Sequence, residues 1–367
     1  MTAIKFVTPS TDEFRRLLRV RVDSYFADRA LSKHWNAVMA LKLALYLGGY
    51  LGAYALIMLG GFSVPVMFGL AIIVGLAGAG IGFNIGHDAC HGALSKSSRV
   101  NRFWAHAFTL IGAHAYNWRI IHNVSHHGFT NIPYADGDLH PVSYLRYFQQ
   151  APNKRPYHRF QHLYAIPLYS LATLVWIFYK DFLHISRDTH AGLKKRKPPA
   201  VEYLILALGK SLHIGMLLIL PMIFLPIPIW QVLVGFIVLH LVMGLSLASV
   251  FAVGHLVEDV EMPLADQEGH IHGSWAEHQL KTTANFSTES RFFFWTVGGL
   301  NFQIEHHLFP HVCHVHYPKL SPIVRATAHE FGLPYHEFKS FFEAQRSHLS
   351  FLKKLGKEQI VADPVLP

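Results

Sequence analysis

Charge is scarce in this sequence. Only 15% of the 367 residues are Asp, Glu, Lys or Arg, against about 25% in a typical soluble domain, while 51% are hydrophobic. Mean hydropathy is +0.25, and the balance excludes an ordinary soluble domain in favour of an integral membrane protein. Cysteine is scarcer still. Cys90 and Cys313 are the only two, too few for a disulfide framework or a four-cysteine iron–sulfur cluster. Acidic residues number 23 against 32 basic ones, a net charge of +9. No nucleic-acid-binding motif accompanies that excess, so it is read as membrane topology and contact with anionic lipid. A secretory signal is also missing, because residues 1–35 have neither a short apolar core nor a small-residue cleavage site. The first span should therefore act as an uncleaved anchor.

Long apolar runs are abundant. Four of them, at about 36–59, 62–85, 203–225 and 227–254, each exceed the roughly 20 residues that cross a bilayer as a helix. Gly60-Gly61 joins the first pair, and Pro226 to Pro228 joins the second. Neither tip carries lysine or arginine, whereas Lys96, Arg99, Arg102 and the run Lys194 to Lys197 follow or precede spans at the other end. By the positive-inside rule the basic end is cytosolic. Phe103 to Tyr116 is apolar but too short to span, and reads as a re-entrant or interfacial helix. Leu163 to Phe178, interrupted by Pro167, reads as interfacial. The expected fold is all-α: four transmembrane helices in two hairpins, interfacial helices, and a cytosolic histidine-bearing cap after residue 254. Residues 1–35 form a basic segment in which Phe14, Leu18, Val22 and Tyr25 share a helical face among Arg15, Arg16, Arg19 and Arg21, the pattern of a helix lying on a membrane. Residues 36–345 are the membrane domain and 346–367 a C-terminal tail.

Histidine is the residue in excess. With 27 in the chain, about two pairs are expected by chance at any chosen spacing, so one His-x-x-x-His means little. His158 and His162 illustrate this and read as a surface or interfacial pair. Three clusters stand apart: His87-Asp-Ala-Cys-His91, His122-Asn-Val-Ser-His126-His127, and Gln303-Ile-Glu-His306-His307. Residues four apart share a helical face. Two spans precede the first cluster and two separate the second from the third, so all three emerge on one face of the membrane and can converge. Imidazole binds iron, zinc, copper and nickel alike. Seven histidines are too many for one tetrahedral ion and suit two metals. A histidine-based metal transporter would instead place its ligands at mid-membrane, where only His213 and His240 fall.

These clusters resemble the three histidine boxes of the membrane fatty-acid desaturase superfamily, in the forms HxxxH, HxxxHH and QxxHH. Gly298 to Pro310 and His316-Tyr317-Pro318 look like the branch containing acyl-lipid and front-end desaturases. The resemblance runs from about residue 35 to 340. It implies an O2-dependent enzyme that inserts a cis double bond into a long acyl chain carried by a lipid or by CoA. It also implies two irons bound by His87, His91, His122, His126, His127, His306 and His307. Related acyl-CoA desaturases use one more histidine from the end of the fourth span, which here is His255. Gln303 is a poor ligand and is expected to hydrogen-bond a ligand or a bound water. Metal-bound imidazoles give their second N–H to an acceptor, and Asp88, Asp138, Glu258 and Glu305 are candidates by proximity. Trp104, Tyr116, Trp118 and Phe292 to Trp295 are candidates to line the acyl path. Hydroxylases, sphingolipid desaturases and carotenoid oxygenases share similar boxes and remain the enzymatic alternatives. Many front-end desaturases carry a fused cytochrome b5 domain with His-Pro-Gly-Gly. Here the only His-Pro, His140-Pro141, continues into Val142-Ser143, so electrons are expected from a separate carrier, cytochrome b5 or a ferredoxin with its reductase.

Overall fold

The computed structural model describes residues 4–8, 12–139, 144–150, 154–187, 189–190, 193–194 and 197–359. His140 to Ser143, Lys195 and Arg196 lie outside the described residues. The first helix, α1 (Glu13–Asp28), is capped by the Asp12 carboxylate, which accepts from Arg15 N at 3.0 Å. Its apolar face is Phe14, Leu18, Val22 and Phe26, buried against Leu320, Val324 and Ala328 of the later chain. That face is thus covered by protein rather than by lipid: an amphipathic stripe specifies one apolar contact and is silent on what supplies it.

Four helices are long and apolar enough to span a membrane: α2 (Ala37–Leu59), α3 (Val64–Cys90) and, later, a second pair. α3 runs through His87 instead of ending before it. A short connection leads to α4 (Ser98–Ala105), and a 3-10 turn at His106–Ile111 follows. Gly112 then reverses the chain in the left-handed region, at φ 75°, into α5 (Ala115–Trp118) and the π-helical turn Arg119–His126. The tip of this excursion is deep. The Leu110 carbonyl accepts from Tyr50 OH at 2.6 Å and from His213 Nδ1–H at 3.0 Å, both in the middle of spanning helices. The segment is re-entrant.

The stretch expected to be interfacial is a bent pair, α6 (Pro156–Ser170) and α7 (Ala172–Ser186), inclined at 63°. Pro167 inside α6 removes one ladder hydrogen bond just before the bend. The corner is inserted rather than flat on a surface, because Thr173 Oγ1 donates to the His240 carbonyl at 2.9 Å, well inside a spanning helix. Lys180 of α7 lies 3.8 Å from Asp138, beside box two, and Tyr169, next to the corner, meets His348 at 2.8 Å. The remaining spans are α8 (Ala200–Phe224) and α9 (Ile229–His255).

The tip at Leu110 to Gly112 leaves backbone carbonyls without helical partners, and in a membrane every such group needs one. Buried polar side chains meet that need. Lys210 Nζ donates to the Gly112 carbonyl at 2.5 Å and to Asp181 Oδ2 at 2.6 Å. His213 and His240, midway along α8 and α9, serve this junction and stand 3.3 Å apart.

After α9 come α10 (Trp275–Thr282), α11 (Arg291–Thr296), α12 (Gln303–Leu308), α13 (Tyr317–Glu330) and α14 (Phe341–Lys357). Short parallel strand pairs tie this region together: Lys5–Val7 with His270–His272, and Ala284–Phe286 with His336–Phe338. α14 crosses the boundary expected at residue 345 and packs Leu352 against Ala165 and Ala252. His158 is buried rather than superficial, at 2% exposure, with Nδ1 accepting from Arg155 N.

Candidate metal centre

The three boxes meet at the ends of α3 and α9. Box one rides on α3 just after a π turn at Gly82–Gly86. Gly298 and Gly299, both at positive φ (59° and 71°), bring the chain into box three, and a β-carbon at Gly298 would collide with the Phe83 carbonyl. Box two is itself π-helical, and its i to i+5 bonding changes which histidines share a face. His127 N donates to the His122 carbonyl at 2.9 Å, and the Nε2 atoms of these two rings are 3.2 Å apart. An α-helix would have paired His122 with His126. The widened turn instead lets box two serve two groups.

Those groups are distinct. His87, His91, His122 and His306 have ligand atoms within 4.8 Å of one another, as do His126, His255 and His307. His127 lies between them, its ring 4.2 Å from His307 and 4.7 Å from His306. All eight histidines expected as ligands are thus brought together. Gln303 reaches His255, with its amide nitrogen 2.7 Å from Nε2.

The rings are oriented from behind. His122 Nδ1–H donates to Asp138 at 2.6 Å, His126 Nδ1–H to Asp136 at 2.9 Å, His307 Nδ1–H to Gln279 at 2.8 Å and His306 Nδ1–H to the Tyr317 oxygen at 3.3 Å. This leaves Nε2 of each facing the cluster. Nε2 of His91, His126, His306 and His307 is buried with no hydrogen-bond partner among the described residues. Buried imidazole nitrogens are rarely left so, and eight imidazoles converging around these open nitrogens are the donor set of a transition-metal site. Burial, reinforced by the neighbouring imidazoles, holds His91, His122, His127, His306 and His307 well below the ordinary imidazole range. These rings are therefore neutral and able to ligate. Burial lowers His126 too, but the Asp136 carboxylate and its hydrogen bond outweigh it and leave its value raised.

Residues 63–339 match the family described as fatty acid desaturase. The chain belongs to the fatty acid desaturase family. It is 34% identical over 361 residues to an acyl-lipid (8-3)-desaturase of Physcomitrium patens, covering 98% of this chain and 75% of the relative. It is also 34% identical over 345 residues to an sn-1 linoleoyl-lipid 6-desaturase of Synechocystis sp., with 94% and 96% covered. A third relative, an acyl-lipid (8-3)-desaturase of Mortierella alpina, is 31% identical over 95% of this chain and 79% of its own length. This desaturase is therefore an oxidoreductase of lipid metabolism.

Of the four carboxylates expected to orient the desaturase's imidazoles, Asp138 does so directly. Asp88 accepts chiefly from His314, at 2.9 Å, and stands 3.8 Å from His87 Nδ1. Glu305 accepts from Asn285 and Tyr335 instead, and burial pushes it up to about 7 against the lowering effect of those two bonds. Glu258 is exposed. Asp136, Gln279 and Tyr317 were missed. Asp136 had a readable signal, since Asp136-Gly-Asp138 is an acidic pair just downstream of box two. Tyr317 stood within the His316-Tyr317-Pro318 motif, whereas Gln279 had no signal. Among the aromatic candidates, Trp118 stacks on His122 at 4.2 Å and adjoins His87 and His91. Trp104 packs into the main core and Phe292 is 68% exposed.

Proposed function

We propose that this desaturase is an O2-dependent di-iron enzyme that introduces a cis double bond into a long acyl chain held by a membrane lipid. The observation that carries this reading is the division of eight histidines, seven of them buried and His91 half-buried, into groups of four and three with one between them. The names of the relatives at 34% identity, both acyl-lipid enzymes, support a lipid-linked chain over a CoA ester.

His87, His91, His122 and His306 would hold one iron and His126, His255 and His307 the other, with His127 shared or added to either. Irons there would supply the O2 activation that removes hydrogen from an unactivated methylene pair. In balance, –CH2–CH2– with O2, two electrons and two protons gives –CH=CH– and two waters. The chain's own part is to hold neutral imidazoles with Nε2 inward, to exclude bulk water from a buried site, and to present Trp118 as an apolar wall beside His122.

Two electrons per turnover must reach the site. The 367 residues hold neither His-Pro-Gly-Gly nor a cluster-forming cysteine set, so the reading includes a separate carrier, cytochrome b5 or a ferredoxin with its reductase. In this topology α2–α3 and α8–α9 are hairpins, residues 1–35 and the region after α9 are cytosolic, and 36–345 form the membrane domain. The exposed Lys96, Arg99 and Arg102 would then face an acidic carrier and raise its encounter rate at low salt.

The test is expression in a host of known lipid composition, followed by double-bond mapping of its lipids and metal analysis of the purified protein. A new cis double bond and two irons per chain are expected. One ion per chain, or stoichiometric zinc with activity retained, overturns the di-iron reading. A hydroxylated product overturns desaturation. Sustained turnover from NAD(P)H with no added carrier removes the external donor.

A further inference from the structure

A lysine is buried within the first spanning helix, where an unpaired charge is costly. Lys42 of α2 has no exposed surface. Its Nζ is bonded to Asn84 Oδ1 at 3.0 Å, the Phe294 carbonyl at 2.5 Å and His314 Nε2 at 2.9 Å. Three acceptors require three hydrogens, so the group is an ammonium. It also lies over the Phe294 ring, 4.2 Å from the centroid. His314 is thereby set in one tautomer. Its Nε2 accepts from Lys42, and its Nδ1–H donates to Asp88 Oδ2 at 2.9 Å, with His314 N adding a second donor at 3.2 Å. The other carboxylate oxygen, Asp88 Oδ1, is 3.8 Å from His87 Nδ1.

Asp88, Cys313 and His314 have ligand atoms close enough to hold a metal ion themselves. The ammonium occupies that role, since it already takes the His314 lone pair and balances the Asp88 charge. The network also joins three parts of the chain: α2, the π turn that carries Asn84 ahead of box one, and the loop after box three.

We propose that Lys42 is a positioning residue for the first metal position, a tethered cation that acts through His314 to hold the Asp88 carboxylate 3.8 Å from His87 Nδ1, where its charge favours the proton on that nitrogen and leaves Nε2 for the metal. The inference rests on the two-metal reading above. It assigns Lys42 and His314 a role in the strength of one position only, that of His87, His91, His122 and His306. An acceptor behind a ligating histidine typically changes metal affinity 10- to 100-fold.

The experiment compares wild-type protein with two variants, each loaded with 57Fe(II). The first is the charge-neutral pair Lys42→Met with Asp88→Asn, which leaves no unpaired buried charge. The second is His314→Gln, which interrupts the relay without changing net charge. Iron per chain is measured across graded concentrations of a ferrous chelator, and Mössbauer spectra are recorded. Wild type is expected to retain two irons, and each variant to release one at a chelator concentration about 10-fold lower or less, with one of two quadrupole doublets altered. Iron retention and spectra equal to wild type in His314→Gln overturn the proposal even if the double variant fails to insert. Parallel loss of both irons in either variant also overturns it, because that is a structural effect. Wild-type protein holding fewer than two irons fails the two-metal reading instead, and is recognised before any variant is compared.

Discussion

Asp136→Asn is the sharpest perturbation of the centre. The Asp136 carboxylate is fully buried and takes four N–H groups: His126 Nδ1 at 2.9 Å and Asn131 N at 3.0 Å on one oxygen, Asp138 N at 3.0 Å and Leu139 N at 3.3 Å on the other. An introduced amide can still accept from the last two, but its NH2 group then faces two donors. The loop loses one backbone bond, about 1–2 kcal/mol. The imidazole responds by changing tautomer, so that Nδ1 accepts from the amide and the proton moves to Nε2, the atom that faces His255 and His307. Ligation must then reverse that tautomer and break the new bond, about 1.4–2.8 kcal/mol, or a 10- to 100-fold weaker metal position. Chelator competition on detergent-purified protein measures it. The expected result is loss of one iron of two at a chelator concentration about 10- to 100-fold lower than wild type needs, with folding retained and the iron regained only at correspondingly higher free Fe(II). Unchanged iron retention in Asp136→Asn refutes the argument that this carboxylate sets the ring.

His255→Ala removes one of the three nitrogens of the second group, and is expected to lower iron occupancy toward one per chain and abolish desaturation while the protein still inserts, as checked by metal analysis and lipid profiling. Lys210→Met strands Asp181 and the Gly112 carbonyl at the re-entrant tip and should destabilise by about 3–5 kcal/mol, whereas Lys210→Met combined with Asp181→Asn should recover most of the loss in a thermal unfolding scan. Burial holds His348 at about 4, against a partly offsetting bond to the Leu256 carbonyl, while the unfolded chain titrates near 6.5. The unfolded state therefore binds the extra proton between those values, so stability is full above pH 6.5 and falls as pH drops toward 4, by about 3 kcal/mol for this one residue. His348→Gln should flatten that slope in unfolding curves recorded from pH 7 to 4, and an unchanged slope would count against it.

Much of the site was legible because histidine spacing and apolar length are both local quantities. An HxxxH at the end of a 20-residue apolar run states ligand type, face and depth together, and the even number of spans between clusters brings them to one side. His255 was legible for the same reason, since it ends such a run. Spacing did not reveal how the ligands divide. The π turn at Arg119–His126 brings the His127 ring as near to His122 as His126 is, at 4.8 and 5.0 Å, and one inserted residue in a helix leaves no mark on composition.

Residues acting through space were the least readable. Gln279 lies 28 residues from His307 and Lys42 lies 272 from His314, and each looks unremarkable in its own helix. The α1 stripe showed that one face would be covered, while the packing of α13 decided that protein covers it. Likewise, the apolar character of Leu163 to Phe178 placed it in or on the membrane, and only the bonds of Thr173 with His240 of α9 and of Asp181 with Lys210 of α8 fixed it against the spans. Sequence by itself determined which runs are long and apolar enough to span and which histidines fall in boxes, because those follow from side-chain type and local period. The tertiary structure alone decided which nitrogens face each other, since tautomer and ring direction are set by partners outside each box, 10 to 28 residues away for His122, His126, His306 and His307 and 226 for His314 with Asp88.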